Sequence, residues 1–167
     1  MVAVLNNDAV KDLIFRPCTD EDEPFLRLVY DSTRTNEMLL VDWNDAQKAA
    51  FLSMQFNAQH RYYHAQFPDA KYDILERNGE PIGRLYTALW PTELRILDIA
   101  LLPQFRNMGI GTALIKAQMQ KAGSAGLPLT LHVESFNPAR RLYDRLGFKE
   151  VQVDGIYILM TWSPPAG

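Results

Sequence analysis

Residues 104–114 read Gln-Phe-Arg-Asn-Met-Gly-Ile-Gly-Thr-Ala-Leu, and here the chain gathers groups suited to holding an anion. Gly109 and Gly111 stand one residue apart before a helix-forming stretch, with Arg106 just upstream. Each glycine costs about 0.5–1 kcal/mol relative to alanine inside a regular element, so the placement needs a reason. A tight strand-to-helix turn is one. Another is a phosphate cradle: a strand, a glycine loop and a helix N-terminus aim several unpaired N–H groups in one direction. The helix dipole adds positive charge there, and glycine lets the backbone approach the ligand. Arg106 can add a charge-assisted contact, and the anion site is the favoured reading. Two familiar phosphate motifs do not fit. A Walker A loop ends Gly-Lys-Ser/Thr, whereas Gly111 is followed by Thr112 and Ala113. A dinucleotide fingerprint needs a small residue where Leu114 stands, and it opens a fold instead of following its fourth or fifth strand.

The elements that must position this loop can be read from pattern. "LIFRP" (13–17) reads as a strand, Thr19 as an N-cap, and Asp20 to Glu23 with Pro24 as a helix start. A cation site in the acidic run is the alternative. Asn44 or Asp45 caps a longer helix to about Tyr63, with Phe51, Met54, Ala58 and Tyr62 at helical spacing. Phe56, His60, Tyr63, His64 and Phe67 make its end aromatic. They fit either a core stripe with solvated histidines or the wall of an acceptor pocket. "YDILE" (72–76) and "PIGRLYTALW" (81–90) form a hairpin about Asn78-Gly79. "LRILDIALL" (94–102) is a largely buried strand, residues 111–122 a helix, and "PLTLHV" (128–133) the next strand. "NPARRLYDRLGF" (137–148) reads as a helix with Asn137 as N-cap, Pro138 at its first position and Gly147 as left-handed C-cap. "KEVQVD" and "IYILMTW" close the chain as a hairpin at Asp154-Gly155. The order predicts an α/β or α+β mixed sheet with helices on its faces.

Global features narrow the class. The chain has 167 residues, 47% of them hydrophobic and 22% charged, which predicts one globular domain over 1–167. Its net charge of −3 argues against a generic nucleic-acid binder. No apolar run is long enough to span a bilayer, and the N-terminus lacks the basic n-region of an export signal. The single Cys18 permits no internal disulfide and has no CxxC companion for a metal. These features together predict a cytoplasmic setting with no bound metal.

"RNMGIG" (106–111) resembles the acyl-CoA signature R/Q-x-x-G-x-G/A of the GNAT superfamily of N-acetyltransferases. "LDIALLP" leads into it as the corresponding strand does, and "NPARRLYDRLGF" is similar to the superfamily's second conserved block. The element order also matches over nearly the whole chain. The resemblance implies a GNAT-like fold, with a central, mostly antiparallel sheet and helices on both faces. It implies transfer of an acetyl group from acetyl-CoA directly to an amine. It places the coenzyme A pyrophosphate on Arg106, Asn107, Met108, Gly109, Ile110, Gly111 and Thr112. The pantetheine arm would pair with the strand end Ala100, Leu101 and Leu102, where the sheet would splay. Asn137 would touch the cofactor arm, and Tyr143 would lie near the sulfur and protonate the departing thiolate.

The amine must lose a proton, and Asp98 is the first candidate base. Strand alternation with Ile96 and Ala100 places the three on one face, among neighbours that would raise its pKa. Glu134, His132 or a water chain are alternatives, and a hydrogen-bonded structural carboxylate accounts for Asp98 equally well. A non-catalytic acyl-CoA binding or sensing domain is the rival reading, and a structural or interaction module the second. The acceptor is left open between small molecule and peptide. Glu37, Asp42 and Asp20 to Glu23 could attract a cationic amine, and the closing hairpin would suit a homodimer contact.

Overall fold

The computed structural model describes residues 3–4 and 12–166; most of the N-terminal stretch that reads as lacking an export signal lies outside them. Eight strands form one sheet in the order β1-β2-β3-β4-β5-β6-β8-β7. They are β1 (Ala3–Val4), β2 (Leu13–Pro17), β3 (Lys71–Arg77), β4 (Glu80–Leu89), β5 (Leu94–Leu101), β6 (Leu129–Glu134), β7 (Lys149–Asp154) and β8 (Tyr157–Trp162). Every pairing is antiparallel except β5 with β6. The helices are α1 (Glu23–Thr33), α2 (Thr35–Leu39), α3 (Asp45–Gln66), α4 (Ile110–Ser124) and α5 (Arg140–Arg145). The mixed sheet read from the sequence is present. The parallel pair is bridged by α4, the kind of long crossover such a pair requires.

The two faces of the sheet carry different cores. On one, Leu114 and Ile115 of α4 and Tyr143 of α5 pack with Leu85, Ile96, Leu131 and Met160. On the other, Leu26 and Tyr30 of α1 and Phe56 of α3 pack on Ile74 and Tyr86. Burying each large aliphatic side chain stabilises the fold by about 1.5–3 kcal/mol, so both helix layers are firmly seated.

Local chemistry sets the element ends. Asn44 Oδ1 accepts from Gln47 N–H at 2.8 Å and Gln47 Oε1 from Asn44 N–H at 2.9 Å, a reciprocal cap that starts α3. Asn78 (φ 51°) and Gly79 (φ 80°) make the tight β3–β4 turn with both residues left-handed. Asp22, 7% exposed, accepts from Thr19 N–H at 2.7 Å and holds Arg16 at 2.7 and 2.8 Å. The acidic run is thus a helix start, introduced by a 3₁₀ turn at Asp20–Asp22. That pairing keeps the Asp22 carboxyl below the usual carboxylate range.

Three expectations need correction. The inward stripe of α3 is Leu52, Phe56 and Tyr63; Met54 and Tyr62 are each 56% exposed. That helix is almost uniformly mixed in polarity around its circumference, so spacing alone did not select the buried side. The helix expected over 137–148 spans only Arg140–Arg145, with Ala139 as its N-cap. Asn137 Oδ1 accepts from Ala139 N–H at 2.9 Å, closing a local turn before the helix begins. Finally, Ile96 does not share a face with Asp98. Tyr86 opposes Asp98 and Thr87 opposes Ile96, leaving Leu97 as an extra residue on β5. This β-bulge reverses the alternation: Ile96 joins the core under α4, while Leu97 and Asp98 turn toward α3.

Candidate active site

The bulge lies where the sheet opens. β5 and β6 pair over only three rungs, Leu94–Leu129, Arg95–Thr130 and Ile96–Leu131. Beyond Ile96 the strands part, and β6 continues to pair with β8 alone as far as Glu134. On its other side β5 keeps its partner: Leu102 N–H donates to Ile82 O at 2.9 Å. Strand alternation then directs the polar groups of Leu101 and Ile99 to the edge that β6 has left. The splay expected at residues 100–102 is present and begins earlier, at the bulge. Ile99 lies on the same open edge, and the sequence offered no sign of it.

Gly83 lets β4 lie close under this strand end. A Cβ there would stand 2.5 Å from Ala100 O and 2.8 Å from Leu101 Cδ2. On the helical side, Val29 of α1 packs with Ala100 and Leu102.

The glycine loop follows directly. Asn107 (φ 60°) and Gly109 (φ 81°) both adopt the left-handed conformation, and Gly109 is the N-cap of α4. No side chain caps this terminus. The first backbone return is Ala113 N–H to Gly109 O at 3.1 Å, so the amides of Ile110, Gly111 and Thr112 are those a helix start leaves without an intrahelical acceptor. A Cβ on Gly111 would meet nothing within 4 Å. Unspent donors, a helix dipole and clear space fit a phosphate-bearing group. Arg106 is engaged elsewhere: its Nε donates to Leu101 O at 3.0 Å and its Nη2 to Ser32 Oγ at 3.2 Å. It ties the end of β5 to α1 beside the loop. Met108 is 54% exposed.

Asp98 faces a partner that the sequence did not suggest. Arg84, only 3% exposed, places Nη2 at 2.5 Å from Asp98 Oδ2 and donates from the same nitrogen to Gln59 Oε1 at 3.1 Å. A guanidinium thus stands where apolar neighbours were expected. Tyr143, 8% exposed, approaches from α5, beyond β6. Burial and the nearby Asp98 carboxylate push its hydroxyl up to about 12, so it stays protonated at neutral pH. It makes no side-chain hydrogen bond among the described residues. Asn137 is half-buried just ahead of α5, its Oδ1 occupied by the turn. His132 is exposed; burial of its ring and Arg95 lower its pKa, with Glu93 and Asp154 opposing. Among the described residues, Asp98 makes its ion pair with Arg84 and no hydrogen bond or ion pair with His132 or Glu134.

The aromatic end of α3 divides. Phe56 and Tyr63 are core, and the Tyr63 hydroxyl donates to Leu97 O at 3.2 Å. His60 and His64 line a cavity of ≈ 290 Å³ with Cys18, Glu23, Tyr72 and Tyr86. That cavity lies between α1, α3 and the β3–β4 pair, and none of its lining comes from β5, β6 or the glycine loop. Burial pushes the Cys18 thiol up to about 12, which leaves it an inert thiol at neutral pH.

Residues 18–148 match the model of the acetyltransferase (GNAT) family. An N-alpha-acetyltransferase of Sulfurisphaera tokodaii is 30% identical over 137 residues, covering 72% of this chain and 82% of that protein. The fold is similar to paia N-acetyltransferase from Thermoplasma acidophilum in complex with coenzyme A. The TM-score is 0.66 at 18% identity, over 90% of this chain and 98% of that one. It is similar too to the ribosomal-protein-S18-alanine N-acetyltransferase from Escherichia coli, with TM-score 0.61 and 21% identity over 93% and 96%. With the family matched over the loop, the strand end and the whole second block, the chain belongs to the GNAT family and is an acetyl-CoA-dependent N-acetyltransferase.

Proposed function

We propose that the acceptor is the N-terminal amine of a peptide or protein chain, brought to the β5–β6 gap. The carrying observation is the apolar surface on both flanks of its open end. β5 and β6 run parallel, so their C-terminal ends lie together. Arg106 links the β5 end to the last turn of α1, after which the end of α2 and its C-cap present Leu39 (73% exposed) and Leu40 (87%). Ser135, after β6, donates its N–H to Ile156 O at 2.7 Å, bringing the β7–β8 turn alongside. Phe136, Ile156 and Tyr157 are exposed there. Such side chains suit the first residues of a polypeptide better than a bare polyamine, since apolar patches that resist burial mark interaction sites. The N-alpha-acetyltransferase relative and the S18-alanine enzyme, by their names, act on amines of this kind.

Acetyl-CoA, when bound, supplies the acetyl thioester that the amine attacks. Ile110, Gly111 and Thr112 N–H, with the backbone of Asn107 to Gly109, hold the pyrophosphate, and Arg106 stiffens the loop against α1. The open edge at Ile99 to Leu102, where Ile99 and Leu101 turn their polar groups outward, would hold the pantetheine arm and offer one N–H to the thioester carbonyl. Such a donor contributes typically ~2.7–4 kcal/mol when negative charge develops. Asn137 lies alongside the arm. Asp98 meets the amine and takes up its proton as nitrogen bonds to the acetyl carbon. The Tyr143 O–H gives its proton to the departing sulfur as the C–S bond breaks.

The test is acetylation of short peptides with free or blocked α-amino groups, with spermidine and N-terminally blocked lysine peptides as comparators. Turnover confined to free α-amines supports the assignment. Turnover of spermidine or blocked lysine peptides at equal or better kcat/KM overturns it.

A further inference from the structure

Arg84 is an odd residue to bury. Removing a guanidinium from water costs several kcal/mol, and a buried ion pair is often no more stabilising than apolar side chains of the same volume. Yet Arg84 sits at 3% exposure in the middle of β4, beneath α3, with its guanidinium 5.1 Å over the Tyr86 ring. Its Nε is buried and has no hydrogen-bond partner among the described residues, so the cluster is not optimised for stability. What it does achieve is geometric. Asp98 Oδ2 is buried against it in an ion pair, with no hydrogen-bond partner among the described residues, although the Asp98 side chain as a whole keeps 21% exposure. The exposure therefore belongs to the rest of the side chain, Oδ1 with its carbons, on the strand that has just lost β6 as a neighbour. The bulge at Leu97 is what turns Asp98 onto this face, and Tyr63 pins the bulge through Leu97 O.

We propose that Arg84 is a positioning residue for acetyl transfer: its guanidinium clamps one oxygen of Asp98 so that the other stands at the β5–β6 gap, where it receives the acceptor amine. The proposal rests on the reading of Asp98 given above. The groups facing Asp98 are Arg84 and Tyr86 of β4, Tyr63 of α3 and Tyr143 of α5. Burial raises all three tyrosines, which stay neutral through the working pH range. Arg84 is thus the one charged group among them, and its contact aims Asp98.

The experiment is a mutant cycle of Arg84→Met, Arg84→Lys, Asp98→Asn and the Arg84→Met/Asp98→Asn pair, assayed from pH 5 to 9 with saturating acetyl-CoA. Arg84→Met should lower kcat/KM for the amine by at least about tenfold, the scale of a misplaced reacting group. The loss should appear in kcat as much as in kcat/KM, the mark of an interaction that acts in the reaction step and not in amine binding alone. KM for acetyl-CoA and the melting shift it induces should not change, and Arg84→Lys should restore most of the rate. In the Asp98→Asn background, Arg84→Met should cost less than about twofold, since the group it acts through is gone. An unchanged kcat, or the same loss in both backgrounds, overturns the positioning role. Wild-type amine kcat/KM in Asp98→Asn overturns the reading of Asp98 itself. If Arg84→Met does not melt cooperatively, Arg84→Gln replaces it in the cycle.

Discussion

Replacing Gly111 with alanine separates the cradle from the turn, because the two roles give opposite signs. The added methyl meets no atom within 4 Å, and Gly111 is not among the residues with positive φ. Without ligand, then, only the backbone effect remains: alanine favours the helix by about 0.4–1 kcal/mol. For a chain of this size a kilocalorie shifts Tm by roughly 2–4 °C, so the free variant should melt about 1–4 °C higher. The space the methyl enters is the space assigned to the phosphates. At a concentration about 100 times the wild-type Kd, acetyl-CoA should stabilise the wild type by ~2.7 kcal/mol, about 5–11 °C. Tenfold weaker binding leaves ~1.4 kcal/mol, about 3–6 °C. Differential scanning fluorimetry with and without acetyl-CoA reads both quantities on one sample. A variant that melts higher yet keeps the full wild-type response would refute the cradle.

Tyr143→Phe should lower kcat by about 10²–10⁴ with acetyl-CoA binding intact, measured by steady-state kinetics and ligand melting. Unchanged kcat would remove the proton donor from the mechanism. Gly83→Ala should cost about 1–3 kcal/mol in chemical denaturation, because its Cβ cannot stand 2.5 Å from Ala100 O. It should also lower kcat by displacing Ala100 and Leu101, and wild-type kinetics would show that this strand end carries no part of the reaction. The depressed Asp22 carboxyl adds stability that is complete above its unfolded value near 3.8 and fades as pH falls through the lower folded value. Asp22→Asn should therefore shrink the stability gap between pH 7 and pH 2; equal acid sensitivity in both proteins would exclude the Arg16 pair as its cause.

What could be read from the sequence was what a residue does to its own backbone. Asn78-Gly79, Gly109 and Gly147 all stand at positive φ, where the side chain itself is the signal. The glycine loop and its helix were legible for the same reason. The bulge at Leu97 was not, because a bulge is a property of two paired strands, and it overturned the face assigned to Ile96 beside Asp98. Arg84 was passed over because a charged residue within a strand reads as its solvent side, and only the tertiary pairing with Asp98 reverses that. On α3, Met54 and Tyr62 were placed inward because the helix lacks a clear apolar side. The choice of Phe56 is made by the surface it meets on Tyr30 and Ile74.

The three rungs between β5 and β6 also set how the molecule yields under load. A continuous sheet widens only by breaking ladder bonds one after another. Here the bonds beyond Ile96 and Leu131 are already missing. Small rotations about the short seam change the width of the gap without severing any backbone bond. Compliance is therefore concentrated at the reacting centre, while the parts of the sheet on either side stay held by their own ladders. Accommodation of acyl groups longer than acetyl, or of bulkier first residues on the acceptor, becomes a matter of opening angle instead of local unfolding.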